Sequence, residues 1–561
     1  MAAELVDDPR LAGLALKEAW RRVRRATRAP WLPLFSGAGP DRILAVPREF
    51  HHGDMATAET IYAGCFHLAG HRIEVTARSP FERLDAPLAW QVELYGFSWL
   101  RHLSETQDAL SAENARALVL DFMNLPRRRR SPASEQPEVM ARRIVSFLTH
   151  CPIIMAQGDD AFRGRFLDLL ASEVRYLRRI AAEVSDGMPR LGVRIALAFS
   201  ALCLPAHGHQ IKLATQNLSS ELDRQVHADG GHASRNPELI IEILAQLLPL
   251  RQLYAQRSQP VPRVLLAAID RMLPALRFFR HAEGSFALFN GAGAGDRGLL
   301  LALLRFDETL GEPMSHMRQS GYQRLTQNGV VVIADAGTTP QGALSRDAHA
   351  GTLAFEFSSG QRRLVVNCGA PQKTEHSWRK LARTTAAHST LTVADQSSSR
   401  FARSGLLDRF LGSPLVSGPS RVPVSREDDA AGQSLSMAHD GYRAAFGLVH
   451  ERELFLSRDG RLLEGSDRLF KASRPARKRK GEAGEANLRF HLHPDVEADP
   501  AGTGIRLSCG NEVWWFFADS PLALEDSIFF ADPRGAKRTK QIVVTFGEAQ
   551  AEVHWRFERR L

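Results

Sequence analysis

The chain has 561 residues, of which 44% are hydrophobic and 24% charged, values of an ordinary globular protein that exclude collagen, coiled coil and whole-chain disorder. Its 72 lysines and arginines against 63 aspartates and glutamates leave a formal charge of +9, which favours an acidic partner. No stretch reaches the roughly 20 apolar residues needed to span a bilayer. The five scattered cysteines (Cys65, Cys151, Cys203, Cys368, Cys509) form no CxxC pair and suggest no disulfide framework.

The N-terminus (MAAELVDDPRLAGLALKEAWRRVRRATRAPW) mixes both charge signs without an apolar h-region, so it reads as an amphipathic helix and not a secretory signal. The expected location is the cytoplasm, or the periplasm if the true start lies elsewhere. From about residue 85 to 285 the pattern is helical. Phe162, Phe166, Leu169, Leu170, Val174 and Leu177 recur at 3–4 spacing, and Leu239, Ile240, Ile243, Leu244, Leu247 and Leu248 make a second stripe. After about residue 305 the period changes to short β-rich runs such as VVVIADAG (330–337), STLTVAD (389–395) and EVWWFFAD (512–519). Leu353, Phe355 and Phe357 alternate with Ala354, Glu356 and Ser358, which predicts a half-buried strand. Many such runs without intervening helices predict an antiparallel sandwich.

The charge runs Arg127–Arg130 and ARKRKGEAGEA (476–486) lie in Pro-, Ser- or Gly-rich stretches and read as solvated loops. No aromatic residues interleave them, so no nucleic-acid partner is expected. His491 and His493 alternate along a strand and point to one face, as metal ligands or as sheet-packing histidines.

Four segments, DGGHASRNP (229–237), DAHAGTLAFEFSSGQRRLVVNCG (347–369), WRKLARTTAAHSTLTVAD (378–395) and RFHLHPDV (489–496), together resemble the heparinase II/III-like family of polysaccharide lyases. The resemblance implies an incomplete (α/α) toroid followed by a large antiparallel β-sandwich. The expected division is a helical or irregular segment over 1–85 packing on the toroid, the toroid over 86–305 and the sandwich over 306–561. It also implies β-elimination on a uronate-containing polysaccharide or oligosaccharide, in a cleft between the two halves. Such a reaction removes the C5 proton, neutralises the carboxylate and protonates the leaving oxygen.

Carried over by position, the resemblance makes His349 and His388 ligands of one structural zinc ion. The family's Asp-x-Gly position falls on neutral Asn367, which leaves the adjacent Cys368 as third donor. The other reading of His349 and His388 is a pair of hydrogen-bonded strand histidines. The family's sandwich catalytic histidine is Asp347 here, its toroid tyrosine is Leu239, and its toroid Asn-His pair has no match. Replacements are therefore sought nearby. His232 is the candidate base, because an imidazole near its unperturbed pKa of about 6.5 suits neutral pH. Asn236 is a candidate for charge stabilisation and equally a helix cap before Pro237. Tyr322, in SGYQRL at the α-to-β junction, is the candidate catalytic tyrosine or else a packing aromatic. Arg235, Arg324, Asp347 and Arg379 are the candidate substrate contacts. The alternative function is a catalytically diverged glycan-binding or envelope-polysaccharide assembly protein on the same scaffold.

Overall fold

Helices fill the first half because apolar residues recur there every three to four positions. Asp159 opens the Asp160–Ile180 helix by accepting from the Phe162 amide at 2.7 Å, and Arg178 and Arg179 occupy the last turn, where cations suit the carbonyl end. The expected stripe of Phe162, Phe166, Leu170, Val174 and Leu177 is buried, with Leu169 at its margin. The same helix also buries Glu173, which Arg143 holds at 2.6 Å while donating to the Tyr95 and Ser134 carbonyls. The computed structural model describes residues 9–28, 39–75, 78–307, 312–371, 376–472, 484–547 and 551–560. The basic run at 127–129 is an exposed single turn, and residues 476–483 of the second run lie outside the described residues. No described helix is long and apolar enough to cross a membrane.

The helices Pro137–Thr149, Met188–Cys203, Glu238–Gln256 and Arg263–Phe278 pack side by side in chain order. Strands follow. One antiparallel sheet begins with His316–Met317, Tyr322–Gln327, Val330–Asp335, Phe355–Ser359 and Arg362–Val366, then continues through Ala486–Leu492 and Lys537–Phe546 to Leu522–Phe529. A second, of eight strands, runs from Val424–Asp428 through Leu448–Ser457, Leu462–Lys471 and Glu552–Arg559 to Glu497–Ala501. The sheets stack face to face, with Phe355 on Trp555 (centroids 5.6 Å apart) and Phe357 against Trp514 (5.0 Å).

The first sheet is a middle layer. Along Val330–Asp335 every residue is buried. Val330, Val332 and Ala334 join the sandwich core, whereas Val331 and Ile333 join the helical core with Tyr322 and Met317. This corrects the half-buried reading of 353–358. The strand is Phe355–Ser359, buried throughout, and its polar face meets the helices instead of water. Glu356 there accepts from His281 Nε2 at 3.0 Å and from the amides of Leu288 and Asn367. Leu353 precedes the strand with φ +66, in a turn.

One buried charge group ties the two sheets. Asp467 accepts from Arg452 Nε (2.8 Å), His450 Nε2 (2.7 Å) and Trp555 Nε1 (2.8 Å), and Arg452 Nη1 donates to the Leu353 and Ser389 carbonyls across the sandwich. Burial alone would raise the Asp467 pKa, but Arg452 and His450 outweigh it and hold it at about 2. Asp467→Asn is expected to cost about 3–5 kcal/mol in urea denaturation near pH 7, because Arg452 keeps its charge without a counterion. Because the folded pKa is depressed, the wild-type contribution is complete above about pH 4 and disappears as pH falls toward about 2.

Candidate functional site at the helix–sheet junction

The DGGHASRNP turn is built to fit against the sandwich. Gly230 has φ +82, and a Cβ there would lie 2.0 Å from the Arg271 carbonyl oxygen. One on Gly231 would lie 2.0 Å from Ser320 Oγ. Asp229 accepts from the amides of Gln319 and Ser320 at 2.8 Å each and from Ser320 Oγ at 2.7 Å, which staples the turn to the loop before the first long strand.

His232 does not face a cleft. Its Nδ1 accepts from the Ser234 amide at 3.1 Å, so Nε2 carries the proton and donates to Gln225 Oε1 at 2.8 Å. The side chain is 1% exposed, and burial followed by repulsion from His227 lowers its pKa to about 3. Both ring nitrogens are used inside the helical layer, which removes the geometry expected of a base.

Arg235, at φ +63, crosses from the turn into the sheet. It donates through Nε to the Ser320 carbonyl (2.7 Å), through Nη1 to Thr338 (3.1 Å), and through Nη2 to Gly321 (3.1 Å) and the Asp335 carboxylate. Its guanidinium also lies 4.8 Å from the Tyr322 ring centre. Tyr322 is fully buried; its hydroxyl donates to the Arg235 carbonyl and accepts from Asn290 Nδ2 at 2.7 Å. Burial pushes that phenol far above its ordinary pKa. Asn290 Nδ2 also meets Asp335 Oδ2 at 3.0 Å, while its Oδ1 accepts from the His349 amide at 3.2 Å.

Asn290 is the central residue that the sequence reading does not single out. Its available signal is the Asn-Gly step in FNGAG (289–293), where Asn290 takes φ +49 and Gly291 φ +99. A Cβ on Gly291 would crowd both the Asp347 carbonyl (2.8 Å) and Asn236 Nδ2 (3.2 Å), so Asn236 and Asp347 approach the same backbone point. Asn236 Oδ1 accepts from the Glu238 amide at 2.9 Å, the cap that Asn-Pro predicts. The junction thus brings together Arg235, Asn236, Tyr322 and Asp347, and leaves His232 outside.

His349 and His388 form a pair. His388 Nδ1 donates to the Thr384 carbonyl at 2.7 Å, so its Nε2 is an acceptor and takes the Nδ1 proton of His349 at 3.0 Å. His349 Nε2 is left with a free lone pair and no partner among the described residues. Burial, then the neighbouring ring, keeps His349 neutral, and burial lowers His388 to about 4. The proposed third zinc donor does not join them. Cys368 Sγ faces His491 Nδ1 at 3.6 Å, and burial lifts its pKa to about 12, so it is a thiol. Among the described residues no three His, Cys, Asp or Glu side chains group as a metal-binding set. The described residues therefore do not fit a zinc ion.

The remaining candidates divide between interior and surface. Arg324 is 6% exposed and donates to the carbonyls of Phe278 (2.8 Å) and Arg280 (3.0 Å), closing the end of the Arg263–Phe278 helix instead of meeting a ligand. Asp347 and Arg379 form an ion pair on the surface, at 59% and 44% exposure. His491 is buried and donates to the Ala386 carbonyl at 3.0 Å; His493 stands beyond the strand end beside Arg363.

Arg235→Ala is expected to destabilise the fold by about 3–5 kcal/mol in urea denaturation, since it strands the Asp335 carboxylate in the interior. His232, His388 and His491 fold as neutral rings with pKa values of about 3, 4 and 3. The unfolded chain takes up those protons near about pH 6.5, so stability is complete above that value and falls as pH drops toward about 4. Each ring contributes a slope of up to about 1.4 kcal/mol per pH unit, readable as a shift of the urea midpoint.

Residues 309–557 match the family model described as heparinase II/III-like, C-terminal. The chain is 30% identical over 562 residues to FtsZ-localized protein C of Caulobacter vibrioides, covering 96% of each. Its fold is similar to the crystal structure of heparinase III (15% identity, TM-score 0.69, 91% of this chain and 85% of that one). It is similar also to a mutant of the heparan sulfate lyase HepC of Pedobacter heparinus (13% identity, TM-score 0.61, 97% of this chain and 88% of that one). The helical layer and stacked sheets are thus a toroid and β-sandwich on a polysaccharide-lyase scaffold, and the chain belongs to the heparinase II/III-like family.

Proposed function

We propose that this chain is a non-eliminating member of its family, an assembly protein that localises with FtsZ as the name of its Caulobacter relative states for that protein. The observation that supports this reading is the closure of the proton path. Tyr322 and His232 are 0% and 1% exposed, and each spends its hydrogen-bonding atoms on other parts of the chain. A phenol and an imidazole held in that way cannot exchange protons with a sugar ring. Arg235 and Arg324, the cations that would neutralise a uronate carboxylate, are likewise consumed by carbonyls and Asp335. A cytoplasmic location is part of the proposal.

The test has two arms. The purified chain should co-sediment with FtsZ polymers. It should give no unsaturated product, followed by absorbance, from heparan sulfate, alginate, chondroitin or hyaluronan. Unsaturated product from any of the four would overturn the reading.

A second reading, β-elimination of a uronate glycan, has one observation in its favour. His349 Nε2 is unprotonated in a fixed tautomer, with Asn290 on its amide and Asp347 two residues away. On that reading His349 is the proton acceptor, and His349→Ala lowers the rate of product formation by about 100-fold or more. Activity that survives this substitution would remove the assignment.

A further inference from the structure

We infer that the outer face of the second sheet binds a basic peptide, an extended segment of another protein that carries lysine or arginine side chains. This does not rest on the reading of the junction. Alternation along the strands makes the face. Leu448–Ser457 buries Leu454 and Leu456 in the sandwich core and turns Glu453 and Phe455 outward, while Leu462–Lys471 buries Leu463 and turns Glu464 outward. A groove of 770 Å³ crosses these two strands and their neighbours Val424–Asp428, Gly432–His439 and Glu552–Arg559.

The charge of the groove is one-sided. Glu427, Glu453, Glu464, Asp519 and Glu552 line it, against Arg556 and His554. Arg556 lies opposite Glu464 in register, but its guanidinium sits 5.1 Å from the Phe517 ring centre and its Nε stands 3.9 Å from Glu558. His554 stands 3.9 Å from Glu552, and Arg468 beside the groove is bound to Glu451. Asp519 accepts from the His554 amide at 3.1 Å. Glu427, Glu453 and Glu464 are exposed and have no ion-pair partner among the described residues.

The floor sets this face apart from an ordinary solvated sheet surface. Ser466 is 8% exposed and lines the groove between Glu453 and His554, and its hydroxyl has no hydrogen-bond partner among the described residues. Ser434 and Ser436 lie half-buried beside it in the same condition. The spacing fits an extended chain. Glu427, Ser434, Phe455 and Glu464 form one row across four strands. At about 4.8 Å per strand the two carboxylates stand about 14 Å apart, the reach of residues i and i+4 in an extended peptide. Phe455 lies between them, where it can carry the aliphatic stem of a basic side chain, and Glu453 is one row along. The carboxylates call for cations and the hydroxyl floor for peptide groups, and together they describe a basic strand laid across the sheet.

Fluorescence anisotropy of the full chain with a labelled peptide, Arg-Thr-Arg-Thr-Arg, tests this, with Glu-Thr-Glu-Thr-Glu and a chitosan pentamer as controls. The basic peptide should bind saturably, and both controls should bind about tenfold more weakly or worse. The double variant Glu453→Gln/Glu464→Gln, made at exposed positions, should bind the peptide about tenfold more weakly with its unliganded unfolding temperature unchanged. Ser466→Val should also weaken binding. Glu59→Gln/Glu242→Gln, which makes the same charge change at exposed helix positions, should bind as the wild type does. No binding of the basic peptide, unchanged affinity in either groove variant, an equal loss in the helix variant, or chitosan binding as tightly as the peptide would each overturn the proposal. The glycan assay does not involve these residues, so its result stands or falls separately.

Discussion

The junction of this protein is organised by one buried ion pair, Arg235 with Asp335. Arg235 leaves the helical layer from a left-handed backbone position and ends among sheet carbonyls, where a charge without a partner would cost several kcal/mol. Tyr322 and Asn290 complete the arrangement, one stacked near the guanidinium and the other sharing the carboxylate. Each of the four groups satisfies the others. The result is specificity of docking: toroid and sandwich have one way to meet.

That same completeness separates architecture from chemistry. An active centre keeps some groups unsatisfied until substrate arrives, whereas here the tyrosine hydroxyl, both nitrogens of His232 and most of the Arg235 donors are already committed. Titration follows the same logic. Burial holds His232 and His388 neutral and Tyr322 protonated, so their charge states are fixed over the range in which a proton shuttle would have to change. The likeness to lyases lies in the scaffold, and the scaffold is compatible with more than one use.

The sequence makes the order of layers legible, since period 3.6 and period 2 are properties of neighbouring residues. It also makes the cap at Asn236 legible, because Asn-Pro carries its own local geometry. What a polar residue faces is another matter. Glu356 alternates with phenylalanines as a solvent-facing residue would, yet the helices cover it and supply His281. His232 lies in a Gly-rich turn, the usual setting of an accessible base, but Gln225 comes from a preceding helix to occupy it. Cys368 adjoins the zinc-ligand position in sequence, while strand pairing turns its sulfur toward His491. In each case the deciding partner is remote in the chain, so no spacing rule reveals it. Asn290 is hidden for the opposite reason: its role comes from a backbone turn whose Asn-Gly signal is common to many loops.

The Val330–Asp335 strand, packed on both of its faces, has a consequence for how this protein can evolve. A change at Val331 disturbs the toroid and one at Val332 disturbs the sandwich, so successive positions answer to different neighbours and none is free to drift. New surface chemistry must therefore arise in the connecting segments around the strand, such as the one carrying Asp347. The central layer answers to two cores at once, whatever the molecule is used for.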